Sequence, residues 1–581
     1  MNYVMPSPLY SPARSVISPS SSGKGSTLVV DDPGTRASEK AGETKYSWTM
    51  LAMCVVTTSL TSLLLGYDVG IMSAALPLMR ESLELTSFQV GVIAGGLNFI
   101  AGVGSVPFGI LADWLGRRTS MIWACVVFAT GTALMSGSTD FVVLLIARAA
   151  MGLGVGATFV IAPVYLSELV PAEVRGALVC CFDICINVGI LLGFAGGYLI
   201  DTGIDASADF KWRLMIGVGV IPPVAIALAA QFLPRSPRWL VSHGLRAEAE
   251  FALSRVVPDA RHVAEEMESM IQATMKENSA SYAQVIFPRT KSMQRALHIT
   301  MGLSILQQIT GSEAAILFTP MILRGAGVTS TSTQLLWALP VGVAKLLGEL
   351  ISVPLLDRVG RRPLLIAGGF MQFICLLGLT VAFIQRWHWQ YLILIISGFM
   401  LSFEIGAPIA WLMPSEVYNS GSRGRAQSIS VTVNRIVSGL LLVSFPVILE
   451  LVGPPLVFGT FAALALFSVV WYHLVIPETA GLSLEEITTL LREESFGHLS
   501  EASQFAAGIR SYSVGSRLNR APRMFMSMSR PRGYGTLQWA AANESKHKGE
   551  GNVALPVQPR RTHSDPTIPG TPTTHGGRRR F

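Results

Sequence analysis

The feature that constrains this chain most is a charged pattern that occurs twice, each time between long apolar segments. The pattern Asp-x-x-Gly-Arg-Arg begins at Asp113 and again at Asp357, 244 residues further on (357 − 113). A second pattern repeats at nearly the same offset: Glu168 is followed seven residues later by Arg-Gly, and so is Glu416, 248 residues further on (416 − 168). Two halves that carry the same charged segments in the same order indicate internal duplication, as in many polytopic membrane proteins.

Composition agrees with a membrane protein. Half of the residues are hydrophobic and 14% are charged, whereas about a quarter of the residues in a soluble domain are charged. The net charge of +7 belongs to the C-terminal tail, because residues 495–581 hold 13 Arg and Lys against 4 Asp and Glu. Nucleic-acid binding is therefore not predicted. The six cysteines lie in apolar segments without Cys-x-x-Cys spacing, so we predict no disulfide framework, zinc site or cofactor.

Twelve apolar windows, each near the roughly 20 residues that cross a bilayer as a helix, divide into two sets of six. The first set covers about 48–76, 90–111, 119–137, 141–164, 177–199 and 213–233. The second set covers about 296–320, 335–356, 364–385, 391–413, 427–449 and 456–476. The pattern predicts an all-α membrane protein with twelve transmembrane helices in two six-helix pseudo-repeats.

The segments around these windows complete the predicted organisation. We expect a disordered tail at 1–47, the two halves at 48–233 and 296–476, a linker with short helices at 234–295, an amphipathic helix at 477–494 and a disordered basic tail at 495–581. The last tail is rich in Ser, Arg and Pro. It is either a site for a kinase or anionic lipid or a solvated tether.

The distribution of arginines predicts the orientation. Cytoplasmic loops are enriched in Lys and Arg, and the loops after windows two, four, eight and ten are the arginine-rich ones. Their arginines are Arg117, Arg118, Arg175, Arg358, Arg361, Arg362, Arg423 and Arg425. These loops are therefore predicted to be cytoplasmic, and an even number of crossings places both termini in the cytoplasm as well.

Ionisable residues inside the windows are the first candidates for function, because a charge near the bilayer centre costs at least about 2.5 to 3.5 kcal/mol. The candidates are Asp68, Arg148, Asp183, Glu313, Lys345, Glu349 and Glu404. Asp68 in window one and Arg148 in window four fall at comparable predicted depth. They form either a proton-responsive pair, since a nearby guanidinium favours the ionised carboxylate, or a static ion pair.

A second candidate group is polar and uncharged. Gln307 and Gln308 precede Glu313 in the seventh window, and Asn434 adds an amide in the eleventh. Amides and carboxylates accept and donate hydrogen bonds at fixed geometry, and Trp411 offers a flat face for the C–H side of a sugar. This set favours a neutral polyhydroxy ligand.

Lys345 is the exception in this group because it is a cation. One reading is that it neutralises Glu349, one helical turn further on. The other is that it neutralises Asp183 or Glu313, or contacts the ligand.

Five motifs, one of which occurs twice, carry a resemblance to a known family. They are the two Asp-x-x-Gly-Arg-Arg segments, PVYLSE at 163–168, SPRWL at 236–240, QQITG at 307–311 and PETAG at 477–481. Together they resemble the sugar porter family of the major facilitator superfamily over roughly 48–490, and within it the plant polyol and monosaccharide proton symporters. The resemblance implies the major facilitator fold.

The resemblance also implies residue roles. Proton-coupled members carry the equivalents of Asp68 and Arg148 as a coupling pair. Substrate contacts are implied for Asp183, Gln307, Gln308, Glu313, Lys345, Glu404, Trp411 and Asn434. Gating ion pairs at the cytoplasmic ends are implied for Asp113, Arg117, Arg118, Glu168, Arg175, Asp357, Arg361, Arg362, Glu416 and Arg423.

Some positions depart from the family pattern. Arg235 replaces the glutamate usual before Ser-Pro-Arg, which removes an acidic partner from the first gating network. Phe318 stands where an aromatic hydroxyl is common, and Asp183 is shorter than the glutamate of the polyol group. The substrate preference of this chain is therefore expected to differ from that of its relatives.

These observations predict a proton-coupled symporter of polyols or monosaccharides that works by alternating access. The alternatives are an uncoupled facilitator of the same fold and a sugar sensor that does not transport. The sequence shows no combination of a nucleophile with a general base, so an enzyme is not predicted. Sorbitol, mannitol, inositol, xylitol and hexoses all remain open as substrates, and the resemblance favours the plasma membrane over the vacuolar membrane.

Overall fold

The computed structural model of the chain describes residues 46–169, 175–257, 259–276, 281–482 and 484–493. Within these ranges the regular elements are all helices, as predicted. Apart from Tyr46 and Ser47, the two predicted tails lie outside the described residues. The predicted contact of the C-terminal tail with a kinase or anionic lipid lies outside them too.

The first half consists of long apolar helices joined by short loops. They are α1 (Trp48–Ser82), α2 (Ser87–Leu115), α3 (Arg117–Ser136), α4 (Phe141–Leu169), α5 (Arg175–Gly203), α6 (Ala208–Val218) and α7 (Ile221–Ala230). The last two run together as one apolar stretch, Ala208–Ala230. Six apolar segments therefore make up this half.

Four short helices follow between the halves. They are α8 (Pro237–Ser242), α9 (Arg246–Ser254), α10 (Ala260–Lys276) and α11 (Tyr282–Ile286). The first three share a small hydrophobic core that includes Leu240, Leu253, Val263 and Met267. Burial of these side chains stabilises the connection as a folded helical unit.

The second half is built from α12 (Lys291–Ile309), α13 (Ser312–Leu317), α14 (Thr319–Gly325), α15 (Thr331–Val359), α16 (Arg361–Ile384), α17 (Trp389–Val417) and α18 (Ser420–Val475). The amphipathic helix α19 (Leu484–Glu493) follows. Its buried residues Ile487 and Leu491 join the core beneath α12 and α17.

The seventh predicted window is broken into three helices. Gly311 has a positive φ of 80°, and a Cβ there would lie 2.4 Å from the ring of Phe461, so glycine is required both by its backbone and by the close packing. Pro320 lies in the first turn of α14, where its missing N–H is tolerated. The breaks leave α13, with Glu313, as a separate short helix beside the centre of the bundle.

The last helix, α18, contains two predicted windows. Its backbone leaves the helical region at Gly453, which has φ 78°, just before Pro454 and Pro455. Ten described helical stretches are long and apolar enough to cross a membrane. Among the described residues, counting α18 as two segments and adding the broken run α12–α14 as one gives twelve segments.

Close helix packing forms the seam between the halves. A Cβ at Gly95 of α2 would lie 2.3 Å from the carbonyl oxygen of Gly439 in α18. Small residues allow this approach in membrane proteins, where packing drives helix association. The helix pair α5 and α15 also packs across the halves, so these two helix pairs form the largest part of the seam. The end of the bundle that carries the turns at Gly116 and Gly360 is called the hairpin end below.

Candidate functional site

A cavity of about 80 Å³ lies between the two halves and is lined by residues of both. The first half contributes Phe159, Asp183 and Asn187 among others. The second half contributes Gln307, Gln308, Ser312, Glu313, Lys345, Glu404, Trp411 and Arg435. Seven of the eight residues predicted to contact a substrate line this one cavity.

Asn434 is the residue that does not line it, and its contact with the ligand stays a prediction. Its amide donates to Gln307 Oε1 at 2.8 Å and to the carbonyl oxygen of Ser304 at 3.1 Å. Its oxygen accepts a 3.0 Å hydrogen bond from Gln308 Nε2. Because α12 and α18 are packed together, Asn434 lies behind the two glutamines and fixes their orientation.

Two buried polar atoms of residues that line the cavity have no hydrogen-bond partner among the described residues. Gln308 Oε1 and Ser312 Oγ are buried and make no hydrogen bond to any described residue. A buried polar atom without a partner costs about 1 to 3 kcal/mol. A ligand hydroxyl at this point would relieve that cost.

Lys345 forms an ion pair with Glu404 and donates a 2.9 Å hydrogen bond to Asn187 Oδ1. It makes no ion pair with Glu349, Asp183 or Glu313, which act on it electrostatically without direct contact, and its contact with the ligand stays a prediction. The reason is the close approach of α17 to α15: a Cβ at Gly348 would lie 2.9 Å from Glu404 Cβ. The carboxylate of α17 is therefore nearer to the lysine than the one on its own helix.

Glu313 is held by groups of both halves. Its carboxylate forms a 2.8 Å ion pair with Arg435 and accepts hydrogen bonds from Ser438 and, at 2.7 Å, from Asn98 of α2. Asn98 also donates to Ser438 at 2.9 Å. The short helix α13 is thus tied directly to the first half.

Trp411 forms one wall of the cavity together with an aromatic residue of the other half. Its ring stacks on Phe159 of α4, with 5.8 Å between centroids and an interplanar angle of 17°. The guanidinium carbon of Arg435 lies 5.3 Å from the Phe159 centroid and 5.7 Å from the Trp411 centroid. These three groups join α4, α17 and α18 by stacking and cation–π contact.

Asp68 and Arg148 are in direct contact, as expected. Arg148 Nη1 lies 2.8 and 2.9 Å from the two carboxylate oxygens, and its Nε donates to the carbonyl oxygen of Ile93 at 2.9 Å. Both side chains are buried, with 3% and 2% of their surface exposed. The pair lies outside the cavity wall, but Val69, the next residue of α1, is part of that wall.

Glu349 and Asp183 are carboxyls without an ion pair among the described residues. Glu349 is fully buried, and neither of its oxygens has a hydrogen-bond partner there. Asp183 lines the cavity, and its charged neighbours are Lys345 and Arg435.

The gating residues form two matching ion-pair networks at the hairpin end. In the first half Arg117 pairs with Glu168 at 3.1 Å and with Asp113 at 3.0 Å. In the second half Arg361 pairs with Glu416 at 3.1 Å and with Asp357 at 3.3 Å. A hydroxyl completes each network, because Ser236 donates to Glu168 and Thr479 donates to Glu416.

The remaining gating residues make other contacts. Arg118 donates to the carbonyl oxygen of Leu233 at 2.9 Å, and Arg362 donates to the carbonyl oxygen of His473 at 2.7 Å. Arg423 forms no ion pair with described residues, because Arg361 already occupies its acidic neighbour Glu416. The side chain of Arg175 lies outside the described residues.

The two networks differ at one position. Glu478 accepts the backbone N–H groups of Arg361 and Arg362 at 3.0 and 3.1 Å and so caps the start of α16. The matching position in the first half is Arg235, which instead pairs with Glu248 on the linker at 3.1 Å. The start of α3 therefore has no carboxylate cap from the residues that the structure describes.

Sequence reasoning missed Arg435, Asn98, Asn187 and Ser438. Arg435 lies in the eleventh apolar window, so the rule that identified the other intramembrane charges could have found it. The three uncharged residues carry no such signal, since single Asn and Ser residues are common on packed helix faces.

Comparisons with known proteins agree with this arrangement. The chain matches the family model described as sugar (and other) transporter over residues 54–491. Polyol transporter 5 of Arabidopsis thaliana is 32% identical over 462 residues, which cover 75% of this chain and 85% of that protein. The major myo-inositol transporter IolT of Bacillus subtilis (strain 168) is 31% identical over 453 residues, which cover 77% and 94%.

Among solved structures, the proton:xylose symporter XylE of E. coli, bound to 6-bromo-6-deoxy-D-glucose, has the same fold. The TM-score is 0.66 at 23% identity, and the match covers 76% of this chain and 99% of that chain. The family match extends through both halves and all of the cavity residues. The chain therefore belongs to the sugar transporter family of the major facilitator superfamily, as a multi-pass membrane transporter and not an enzyme.

Proposed function

We propose that the protein is a proton-coupled symporter of polyols or monosaccharides that works by alternating access. The observation that carries the proposal is the cavity between the halves, lined by hydroxyl-binding side chains and adjoining the buried pair Asp68 and Arg148. Alternating access in inverted-repeat transporters takes place around such a midplane site.

The lining of the cavity supports a polyhydroxy substrate. Gln308 Oε1 and Ser312 Oγ are free to bind hydroxyls, and Trp411 supplies an aromatic face. The cations Lys345 and Arg435 are paired with Glu404 and Glu313, so no unpaired cation among the described lining residues selects a phosphate. Relatives named as polyol and myo-inositol transporters support this substrate class.

Asp68 and Arg148 supply the proposed coupling step. A buried ion pair that loses one partner costs about 3 to 5 kcal/mol, because a charge is left without compensation. While Asp68 is ionised, this cost keeps α1 and α4 together. Protonation of Asp68 neutralises its carboxylate and lets α1 separate from α4. Proton binding is thereby linked to a rearrangement beside the cavity, and the relative named as a proton:xylose symporter supports this role.

The two ion-pair networks are proposed to hold the hairpin end closed in one of the two states. Each network joins helix ends within its own half, and we propose that it keeps those ends in the arrangement that the closed state needs. We place the hairpin end and both termini in the cytoplasm because the arginine-rich loops lie there. We place the protein in the plasma membrane, as for the polyol and monosaccharide symporters that the sequence resembles.

A facilitator of the same fold is the second candidate. The bidentate contact of Arg148 with Asp68, at 2.8 and 2.9 Å, is also the geometry of a static tie between α1 and α4. Under that reading substrate equilibrates and no proton moves with it.

Uptake of labelled sorbitol and labelled glucose into transport-deficient cells separates these candidates. The measurement is made at acidic and near-neutral external pH, with and without a protonophore. Symport predicts accumulation above the external concentration that acid pH increases and the protonophore abolishes. Equilibration that ignores pH would instead support the facilitator, and absence of flux for every polyol and hexose tested would contradict both.

A further inference from the structure

We propose that Glu349 is a second proton-binding site of the transport cycle, so that one proton bound at this carboxyl moves with each substrate in addition to the proton on Asp68. The inference rests on the proposed symport and concerns its stoichiometry. Glu349 lies on α15, four residues after Lys345, outside the residues to which the family resemblance assigns a role.

The surroundings of Glu349 do not accommodate an ionised carboxylate. Its side chain is fully buried, and neither oxygen accepts a hydrogen bond from any described residue. An isolated buried carboxylate is so costly that such groups take up a proton instead. In this conformation Glu349 is therefore a neutral acid that holds a proton.

The cation nearest along the helix does not remove this requirement. The ammonium of Lys345 is engaged by Glu404 and Asn187. One helical turn separates Lys345 from Glu349, and no ion pair forms between them. Lys345 attracts the carboxyl electrostatically, but burial and the negative charge of Asp183 outweigh this attraction.

The balance of charges around the cavity also favours a neutral Glu349. Four carboxyls, Asp183, Glu313, Glu349 and Glu404, face two cations, Lys345 and Arg435. Glu313 and Glu404 take up the two cations as ion pairs. The cluster therefore has an excess of two negative charges when all of its carboxyls are ionised. A proton on Glu349 removes one of the two.

The elements packed around α15 define which groups act on Glu349. Asp183 faces it from α5, Glu404 lies alongside on α17, and Lys345 is on the same helix. Glu313 of α13 is a charged neighbour of Lys345. The described charges of α14 and α16, which are Arg324, Arg361 and Arg362, lie at the ends of the bundle.

The interface between the halves makes this proton exchangeable. Asp183 belongs to the first half and Glu349 to the second, and the contact of α5 with α15 is part of the seam. When the halves rock, water reaches the carboxyl from one side and then from the other. The carboxylate takes a proton from hydronium on the first side and returns it to water on the second.

The test is the substrate gradient that a fixed proton gradient sustains at zero net flux. Full-length protein is reconstituted in proteoliposomes with the membrane potential clamped to zero, and labelled sorbitol is the probe, with labelled glucose used in its place if sorbitol is not transported. Per unit of pH difference, one coupled proton sustains a substrate gradient of about 10-fold and two sustain about 100-fold. We expect wild type to give the larger value and Glu349→Gln the smaller one.

Two controls accompany this variant. Glu349→Asp keeps the carboxyl and is expected to retain the larger gradient, whereas Glu81→Gln makes the same change at an exposed position and is expected to match wild type. Exchange of labelled for unlabelled substrate needs no net proton movement. Glu349→Gln is therefore expected to keep this exchange, because the amide imitates the neutral acid.

Two results would overturn the proposal. One is an unchanged gradient in Glu349→Gln, which would make the bound proton a permanent structural one. The other is loss of exchange in Glu349→Gln while Glu349→Asp still exchanges, which would mean that the ionised form is required. If the proposed symport itself fails, wild type sustains no gradient, a result distinct from either.

Discussion

Asn98 of α2 donates a 2.7 Å hydrogen bond to Glu313 of α13, so that the broken helix of the second half is anchored to the first half. The same carboxylate pairs with Arg435, whose guanidinium lies against Trp411 and Phe159. One polar contact thus connects the cavity wall to the seam along which the halves move. A ligand that engages α13 acts on that seam directly.

Glu313 and Arg435 are predicted to act as a unit in stability. Glu313→Gln leaves Arg435 without its 2.8 Å partner and should lower the free energy of unfolding by about 3 kcal/mol. The double variant Glu313→Gln/Arg435→Gln removes the unpaired charge and should recover part of this loss. Thermal unfolding of purified protein in detergent measures the effect, and strictly additive single and double variants would contradict the pairing.

Gln308 and Asn434 are predicted to affect substrate affinity through one hydrogen bond. Gln308→Ala removes the acceptor at the cavity, and Asn434→Ala frees the glutamine that it orients. Each should raise KM for labelled sorbitol about 10-fold, and the double variant should be less severe than the product of the two. Gln231→Ala, at an exposed position, is the control. If the effects of Asn434→Ala and Gln308→Ala on KM multiply fully in the double variant, the two residues act independently and the prediction is wrong.

Trp411 is predicted to bind substrate through its ring face. Trp411→Ala removes the face and should raise KM about 10-fold, while Trp411→Phe keeps an aromatic surface against Phe159 and should change KM less. Uptake kinetics on a panel of polyols and hexoses measure both. Equal KM values for the two variants would argue against stacking.

The unmatched cap of α3 predicts that Arg235→Glu stabilises the protein. A carboxylate there would face the N-terminal end of α3 and the charge of Arg118, as Glu478 does in the second half. The gain should be about 0.5 kcal/mol or more. The substitution also removes the exposed ion pair of Arg235 with Glu248, but such a pair contributes little to stability. Arg235→Ala is the control, and a melting temperature of Arg235→Glu at or below that of this control would contradict the cap.

Some of this architecture could be predicted from sequence because it depends on local spacing. Repeated motifs identify the two matching networks of Arg117 and Arg361, and helical rise places Asp68 at the depth of Arg148. The break at Gly311 was not predicted, since the apolar window continues across it. It results from packing against Phe461, a residue 150 positions away.

Partner choice inside the bundle could not be predicted, since it depends on how the helices approach one another. Lys345 reaches Glu404 because Gly348 brings α17 close, and helical spacing alone favours Glu349. Asn434 lies behind the glutamines because of the rotation of α18, which a periodic apolar sequence leaves undetermined. The identity of the polar residues was therefore more predictable than their contacts.

Sorbitol or glucose transport by Asp68→Asn is the most direct test of the central claim. The amide imitates the protonated carboxyl and cannot release a proton, and it leaves Arg148 without its carboxylate. We predict that Asp68→Asn retains exchange of labelled for unlabelled substrate, loses the part of acid-driven accumulation that the proton on Asp68 supplies, and loses all of it when combined with Glu349→Gln. If Asp68→Asn still accumulates substrate and responds to pH as wild type does, Asp68 is not the coupling residue and the account is wrong.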